Sequence, residues 1–410
     1  MKDFLKKYLF LTILLFLLFM IILPHSGHDY DSYCWRSWAE YIYKNSLGQV
    51  YHSGTDYLPL YHYILALFSF TQKSFENIEK NIYLLKGITL VFHFISTFFL
   101  ILYIRKKDQT TENIIFKSLF YLLNITVLYN TIIWGQIDEI LTCFVFISFY
   151  FAFRKRVLFS LIFLLLALNL KMQSLIFLPG IGLALLPIII SRFSIKNILI
   201  WIFIPLIIQF SILSPFIFQG TLDELWKVVT GSVGKYPFVS MNAYNLWHLI
   251  ISGDLMIMKD NAEFMAVSYK KWGLLFFFIT SIIALYPLLK QSFISILHKK
   301  EFNFPIEKSL IIFAIIPLLF FFFNTQMHER YSHPAFIFLI GYSLYYNRYF
   351  VSIIGCLAYF LNMEDVLRFL ELHNYGTLIF NRDFIASLYL ITIILLYSYL
   401  FDFKIKYKFR

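Results

Sequence analysis

The hydrophobic and polar positions of this chain come in long blocks. LFLTILLFLLFMIIL (9–23) and IIFAIIPLLFFFF (311–323) run almost without polar interruption. A transmembrane β-barrel would instead alternate apolar and polar residues in short segments. Blocks of about 15 to 23 residues predict membrane-spanning helices. They fall at 5–23, 82–104, 115–133, 139–153, 157–170, 174–191, 198–214, 272–290, 309–324, 333–346, 349–362 and 384–401. The expected fold is therefore an all-α polytopic membrane protein of about 12 spans, within a range of 11 to 13. PLYHYILALFSF (59–70) stands apart. It has about 12 residues where a crossing needs ~20. If it crossed, the following span would deliver Arg105, Lys106 and Lys107 to the face opposite the other basic clusters. A re-entrant or interfacial helix resolves both problems.

Composition agrees with this pattern. Of 410 residues, 60% are hydrophobic, 21% aromatic and 14% charged. The net charge of +11 is explained by basic residues between spans. Lys and Arg collect on the cytoplasmic side of membrane proteins. No nucleic-acid motif competes with that explanation. Placing Lys2, Lys6 and Lys7 inside puts RKK (105–107), RKR (154–156), Arg192, HKK (298–300), Asn347 with Arg348, and KIKYKFR (404–410) inside as well. Both termini are then cytoplasmic. Two long external loops, 24–81 and 215–271, belong to a single domain covering 1–410. The N-terminal run is long for a signal peptide and has no small-residue cleavage site, so an uncleaved first span is expected. Cys34, Cys143 and Cys356 form no disulfide framework and no CxxC pattern.

In this orientation the unusual polar clusters share the external face. HDYD (28–31) sets Asp29 and Asp31 two apart. Such a pair can serve as a general base, can ligate Mg2+ or Mn2+, or can be a solvated turn. Asp56 and Tyr57 precede Pro59, where an aspartate also suits helix capping. WGQID (134–138) carries Trp134, Gln136 and Asp138; a tryptophan there suits an interface anchor, and a carboxylate near lipid wants a partner. Lys171 and Gln173 lie in KMQ; the lysine can snorkel to water or meet an anionic phosphate. NAYN supplies Asn242 and Asn245. MHERY supplies His328, Glu329, Arg330 and Tyr331 between two apolar blocks. Adjacent ionisable groups there need pairing or water.

These motifs occur in one order: Asp31 seven residues before Trp38, then TDYLPLYHYILAL, WGQID, KMQ, PFVSMNAYNLW and MHERY. Together they resemble the GT-C superfamily of membrane glycosyltransferases, more narrowly its bacterial branch related to the second GPI mannosyltransferase. The resemblance covers about residues 24 to 335. It implies juxtamembrane helices in a long first external loop. It also implies a polyprenyl-phosphate-linked sugar donor (mannose or another hexose), a glycan, lipid or protein hydroxyl as acceptor, and inversion at the anomeric carbon. By the same resemblance Asp31, with Asp29 second, is the catalytic candidate. Lys171 and Arg330, with His328 and Gln173 near them, would face the lipid phosphate. The remaining motif residues would contact substrate. Leu58 stands where the family pattern carries a first proline. The divalent cation stays optional, because some members of the superfamily work without metal. A lipid-linked-sugar transporter or flippase, or a surface-polysaccharide polymerase or ligase, are the competing functions. The first would place ionisable groups deep in the bundle and break helices at related positions. The implied location is the bacterial plasma membrane.

Overall fold

The structure, a computed structural model, describes residues 2–106, 109–232 and 234–402. Lys107 and the KIKYKFR tail, both expected in the cytoplasm, lie outside the described residues. The helices, in chain order, are α1 (Lys2–Ile22), α2 (Asp29–Asn45), α3 (Pro59–Gln72), α4 (Phe75–Lys80), α5 (Leu85–Ile104) and α6 (Thr111–Leu122). Next come α7 (Ile125–Leu128), α8 (Asp138–Phe153), α9 (Val157–Leu170), α10 (Leu178–Ser191), α11 (Ile195–Phe218) and α12 (Leu222–Gly231). The last are α13 (Leu246–Ile250), α14 (Tyr269–Leu297), α15 (Ile306–Phe323), α16 (Ala335–Tyr346), α17 (Phe350–Leu367) and α18 (Arg382–Leu400). One two-stranded hairpin, β1 (Glu263–Phe264) with β2 (Val267–Ser268), lies in the second long loop.

The predicted blocks became helices with edges moved by a few residues. Among the described residues, eight helices are long and apolar enough to cross a membrane, or nine if one bent pair counts as a span. The chain is a multi-pass helical membrane protein. The count differs from twelve because α8, α9 and α16 have only 16, 14 and 12 residues. At 1.5 Å per residue they reach ~18 to 24 Å, short of a ~30 Å hydrocarbon core. Of these, α8 and α16 are buried along most of their length, so neighbouring helices cover them. Helix α15 is largely buried inside the bundle (72%), whereas α11 is only 6% buried and turns its side chains outward.

The block 115–133 is not one straight helix. Its two pieces, 111–122 and 125–134, are bent by 44°. Asn124 restarts the helix by accepting from the backbone N–H of Thr126 and Val127. The chain then widens into a π-turn, Tyr129–Trp134, which ends at Gly135 with φ +85°. Only glycine adopts that angle without strain. A β-carbon at Gly135 would also sit 3.1 Å from Lys86 Cε. Lys86 Nζ donates to the carbonyls of Pro24 (2.9 Å) and Ser26 (2.6 Å) and so ties the end of α1 to this turn.

Candidate functional site

The first long loop folds into α2, a short turn, α3 and α4. Helix α3 covers the 59–70 run and packs on α2 and α9. Its N-cap is Leu58 followed by Pro59, so Asp56 does not cap it; Asp56 instead pairs with Lys235 of the second long loop. Asp31 lies in the first turn of α2 and is buried. Its Oδ2 accepts from Trp134 Nε1 at 2.8 Å and from the Gln136 amide, and His28 Nδ1 lies 3.1 Å away. The His28 ring stacks on Trp134 with centroids 4.8 Å apart. Trp134 is thus no lipid-interface anchor: it is buried and holds a carboxylate.

WGQID meets KMQ and MHERY at the same place. Lys171 Nζ donates to Asp138 Oδ1 at 2.5 Å, and its ammonium lies 5.3 Å from the Tyr57 ring centroid. This lysine does not snorkel to water, because its side chain is 11% exposed. Arg330 donates through an Nη to Glu329 at 2.7 Å. Its guanidinium lies over the rings of Trp134 (5.8 Å) and Tyr331 (5.9 Å). Arg330 Nε stands 3.9 Å from Asp138 Oδ2, beyond hydrogen-bond range, and is buried without a hydrogen-bond partner. The Gln136 amide oxygen is likewise buried and unpartnered.

Electrostatics follow from this packing. Burial pushes the Asp31 carboxyl up, but the Arg330 charge and the His28 and Trp134 contacts outweigh it and hold the group well below the usual carboxylate range. Burial, with the Arg330 charge, pushes His328 down to about 3, so this imidazole is neutral near pH 7. Burial raises Glu329, despite the opposing Arg330 charge. Three carboxyl groups (Asp31, Asp138, Glu329) therefore face two cations (Lys171, Arg330) in one buried cluster.

Other expected residues sit elsewhere. Asp29 is exposed, and among the described residues no hydrogen bond or ion pair reaches its carboxylate. Asp29 and Asp31 do not converge. Among the described residues no group of three or more His, Cys, Asp or Glu could hold a metal ion. Among those residues Asp31 is surrounded by N–H donors and lacks further oxygen ligands, which does not fit Mg2+ or Mn2+. Asn245 caps α13 and donates to the carbonyls of Phe321 and Asn324, so its side chain is committed to holding the loop. Asn242 has φ +64°, and its carbonyl accepts from Asn362. Met241 N donates to Met327 O at 2.9 Å and lays this segment beside MHER. Gln173 is half-buried in the turn 172–177, apart from the hydrogen bonds of the cluster.

Sequence reasoning missed Asn130, Glu139, His333 and Tyr359. Asn130 donates to Asp138 at 3.1 Å and to the Tyr359 hydroxyl at 3.0 Å. His333 lies between Tyr359 (3.1 Å) and Glu139 (3.0 Å), and His93 also faces Glu139 (3.4 Å). The signal was present: Glu139 and His93 are ionisable residues within apolar blocks. They also break the expectation that ionisable groups keep to one end, since His93 lies ~12 Å along α5.

Fold and site together define a multi-pass helical membrane protein with a buried ionic cluster at one end of its bundle. No protein-family model matches the chain, and no curated protein matches it.

Proposed function

We propose that the chain is an inverting glycosyltransferase of the GT-C type. It takes a sugar from a polyprenyl-phosphate carrier on the extracytoplasmic face and passes it to a hydroxyl acceptor. The short helices α8, α9 and α16 cross with the long ones, giving about twelve spans with both termini cytoplasmic. The observation that carries this reading is one buried cluster in which Trp134 holds the Asp31 carboxylate, the Arg330 guanidinium lies over that same tryptophan, and Lys171 pairs with Asp138.

The chemistry follows from those groups. The acceptor oxygen bonds to the anomeric carbon while the bond from that carbon to the phosphate oxygen breaks. The electron pair leaves with the phosphate, and the hydroxyl proton passes to Asp31 and then to solvent. A positioned base typically supplies ~10²- to 10⁴-fold. The leaving phosphate gains charge, which fixed cations in a dry site stabilise. The hydrogen-bond-free Nε of Arg330 is a donor ready for a phosphate oxygen. Asp31 as it stands is fully ionised and a weak base. Acceptor docking must therefore displace one of the groups around it: the Gln136 amide, Trp134 Nε1 or His28.

A second reading, a transporter of lipid-linked sugars, is favoured by the bent helix pair and by the His93–Glu139–His333 group inside the bundle. One experiment separates the two. The purified protein in nanodiscs is given a panel of polyprenyl-phosphate sugars, and release or transfer of sugar is followed. A parallel liposome assay follows flipping. Turnover that Arg330→Ala abolishes supports the transferase. Flipping without turnover supports the transporter. Unchanged turnover and donor affinity in Arg330→Ala would remove that arginine from the phosphate site.

A further inference from the structure

Behind Asp138 the side chains form a continuous hydrogen-bonded chain into the bundle. Asp138, Asn130, Tyr359, His333, Glu139, His93 and Tyr121 are each at most 2% exposed. The direction of every bond can be derived from chemistry. The Leu122 carbonyl only accepts, so His93 Nε2, 3.2 Å from it, carries a proton. His93 Nδ1 faces Glu139 Oε1 at 3.4 Å, and two lone pairs cannot face each other there. A proton therefore lies between His93 Nδ1 and Glu139 Oε1.

The Tyr121 hydroxyl donates to both Glu139 oxygens at 3.2 Å. Glu139 Oε2 is then an acceptor for His333, whose Nε2 carries the proton at 3.0 Å. Asn130 Nδ2 is a donor to the Tyr359 hydroxyl at 3.0 Å, so the hydroxyl proton points to His333 Nδ1, which accepts it at 3.1 Å. The second hydrogen of that amide goes to Asp138 Oδ2 at 3.1 Å. Asn130 Oδ1 is left buried with no hydrogen-bond partner. A buried, unpaired acceptor is unfavourable. The chain of bonds holds the amide this way round against that cost.

We propose that Glu139 is a positioning residue for the phosphate site. By fixing the His333 tautomer it turns Tyr359 and Asn130 so that the Asn130 amide occupies Asp138 Oδ2. Lys171 takes the other oxygen. Each Asp138 oxygen then already accepts from a donor of its own, and Arg330 Nε, 3.9 Å away, stays unpartnered and available to a phosphate. An asparagine amide donates both its hydrogens here, so the chain orients groups and does not conduct protons. This proposal rests on the reading of the cluster as a lipid-phosphate site.

The test uses the full chain in nanodiscs and undecaprenyl phosphate as the probe. Tyr359→Phe removes one hydroxyl and leaves every charge in place; Glu139→Gln can donate to His333 and reverse its tautomer. The expected result is binding weakened about tenfold to hundredfold in both variants, the range for one hydrogen bond to a charged group. Tyr359→Phe should fold with a modestly lowered melting temperature, because His333 Nδ1 and one Asn130 hydrogen lose their partner, and donor KM should rise with little change in kcat. Nitrogen-15 NMR of labelled imidazoles should report His333 protonated at Nε2 in the wild type and at Nδ1 in Glu139→Gln. Wild-type affinity in Tyr359→Phe, or an unchanged His333 tautomer in Glu139→Gln, overturns the positioning role while the phosphate site stands. Failure of the wild type itself to bind the probe overturns the phosphate site and the proposal with it.

Discussion

Two lysine–aspartate pairs sit at opposite ends of the bundle. Lys171 meets Asp138 at 2.5 Å with side chains 11% and 3% exposed. Lys308 meets Asp402 at 3.0 Å with side chains 29% and 78% exposed. The chemistry is the same and the surroundings are opposite. At the Lys308 end, charges face outward and their partners are neighbouring surface groups, such as Glu112 for Lys7. Arg154 donates to the carbonyl of Leu102, and Arg192 to that of Lys155, where helices end. Exposed pairs of this sort contribute ~0 to 1 kcal/mol. At the Lys171 end, charges are stripped of water, and only mutual pairing makes that tolerable. Stability alone gives no reason to bury five ionisable groups together. A site that must hold charge away from water does.

The contrast can be broken from its strong side first. Arg330→Ala should lower donor turnover by about 10²- to 10³-fold, the loss typical of one electrostatic group removed from a reacting anion. Steady-state release of sugar from the donor measures it. Lys171→Met should next destabilise the protein by about 3 to 5 kcal/mol, because Asp138 is left charged and buried. A matching change at Asp138 to Asn should recover much of that loss, and thermal unfolding of the single and double variants gives the comparison.

The difference between the two ends was partly legible in the sequence. Basic clusters between apolar blocks marked one end, and WGQID, KMQ and MHERY marked the other. Asp31, Asp138, Lys171 and Arg330 were named and do come together. What the sequence could not give was which side chain meets which. Trp134 suits a membrane anchor until the π-turn swings its indole inward. Asp56 suits a cap until Leu58 is seen at that position. Asp29 and Asp31 are both acidic and two apart, yet the first turn of α2 buries one and exposes the other. Glu139, hidden beside Asp138, needed the fold to bring His93, Tyr121 and His333 to its two oxygens.

A smaller effect tests the electrostatics of the base. Asp31 is held low, so its ionised form persists through neutral pH and is lost only in acid. Gln136→Leu removes one donor to the carboxylate. Its pKa should then rise, and the acid limb of the rate profile should move to higher pH; a limb that stays or moves lower would contradict the assignment. The smallest effect belongs to the other end. Lys308→Met should change stability by no more than about 1 kcal/mol and leave turnover unchanged.

The central claim is that Asp31 does chemistry in this cluster. The most direct measurement is single-turnover sugar transfer by Asp31→Asn beside wild type, with donor binding followed on the same samples. The account predicts that the variant binds donor and loses about 10²-fold or more in rate. Wild-type turnover in the variant would contradict it.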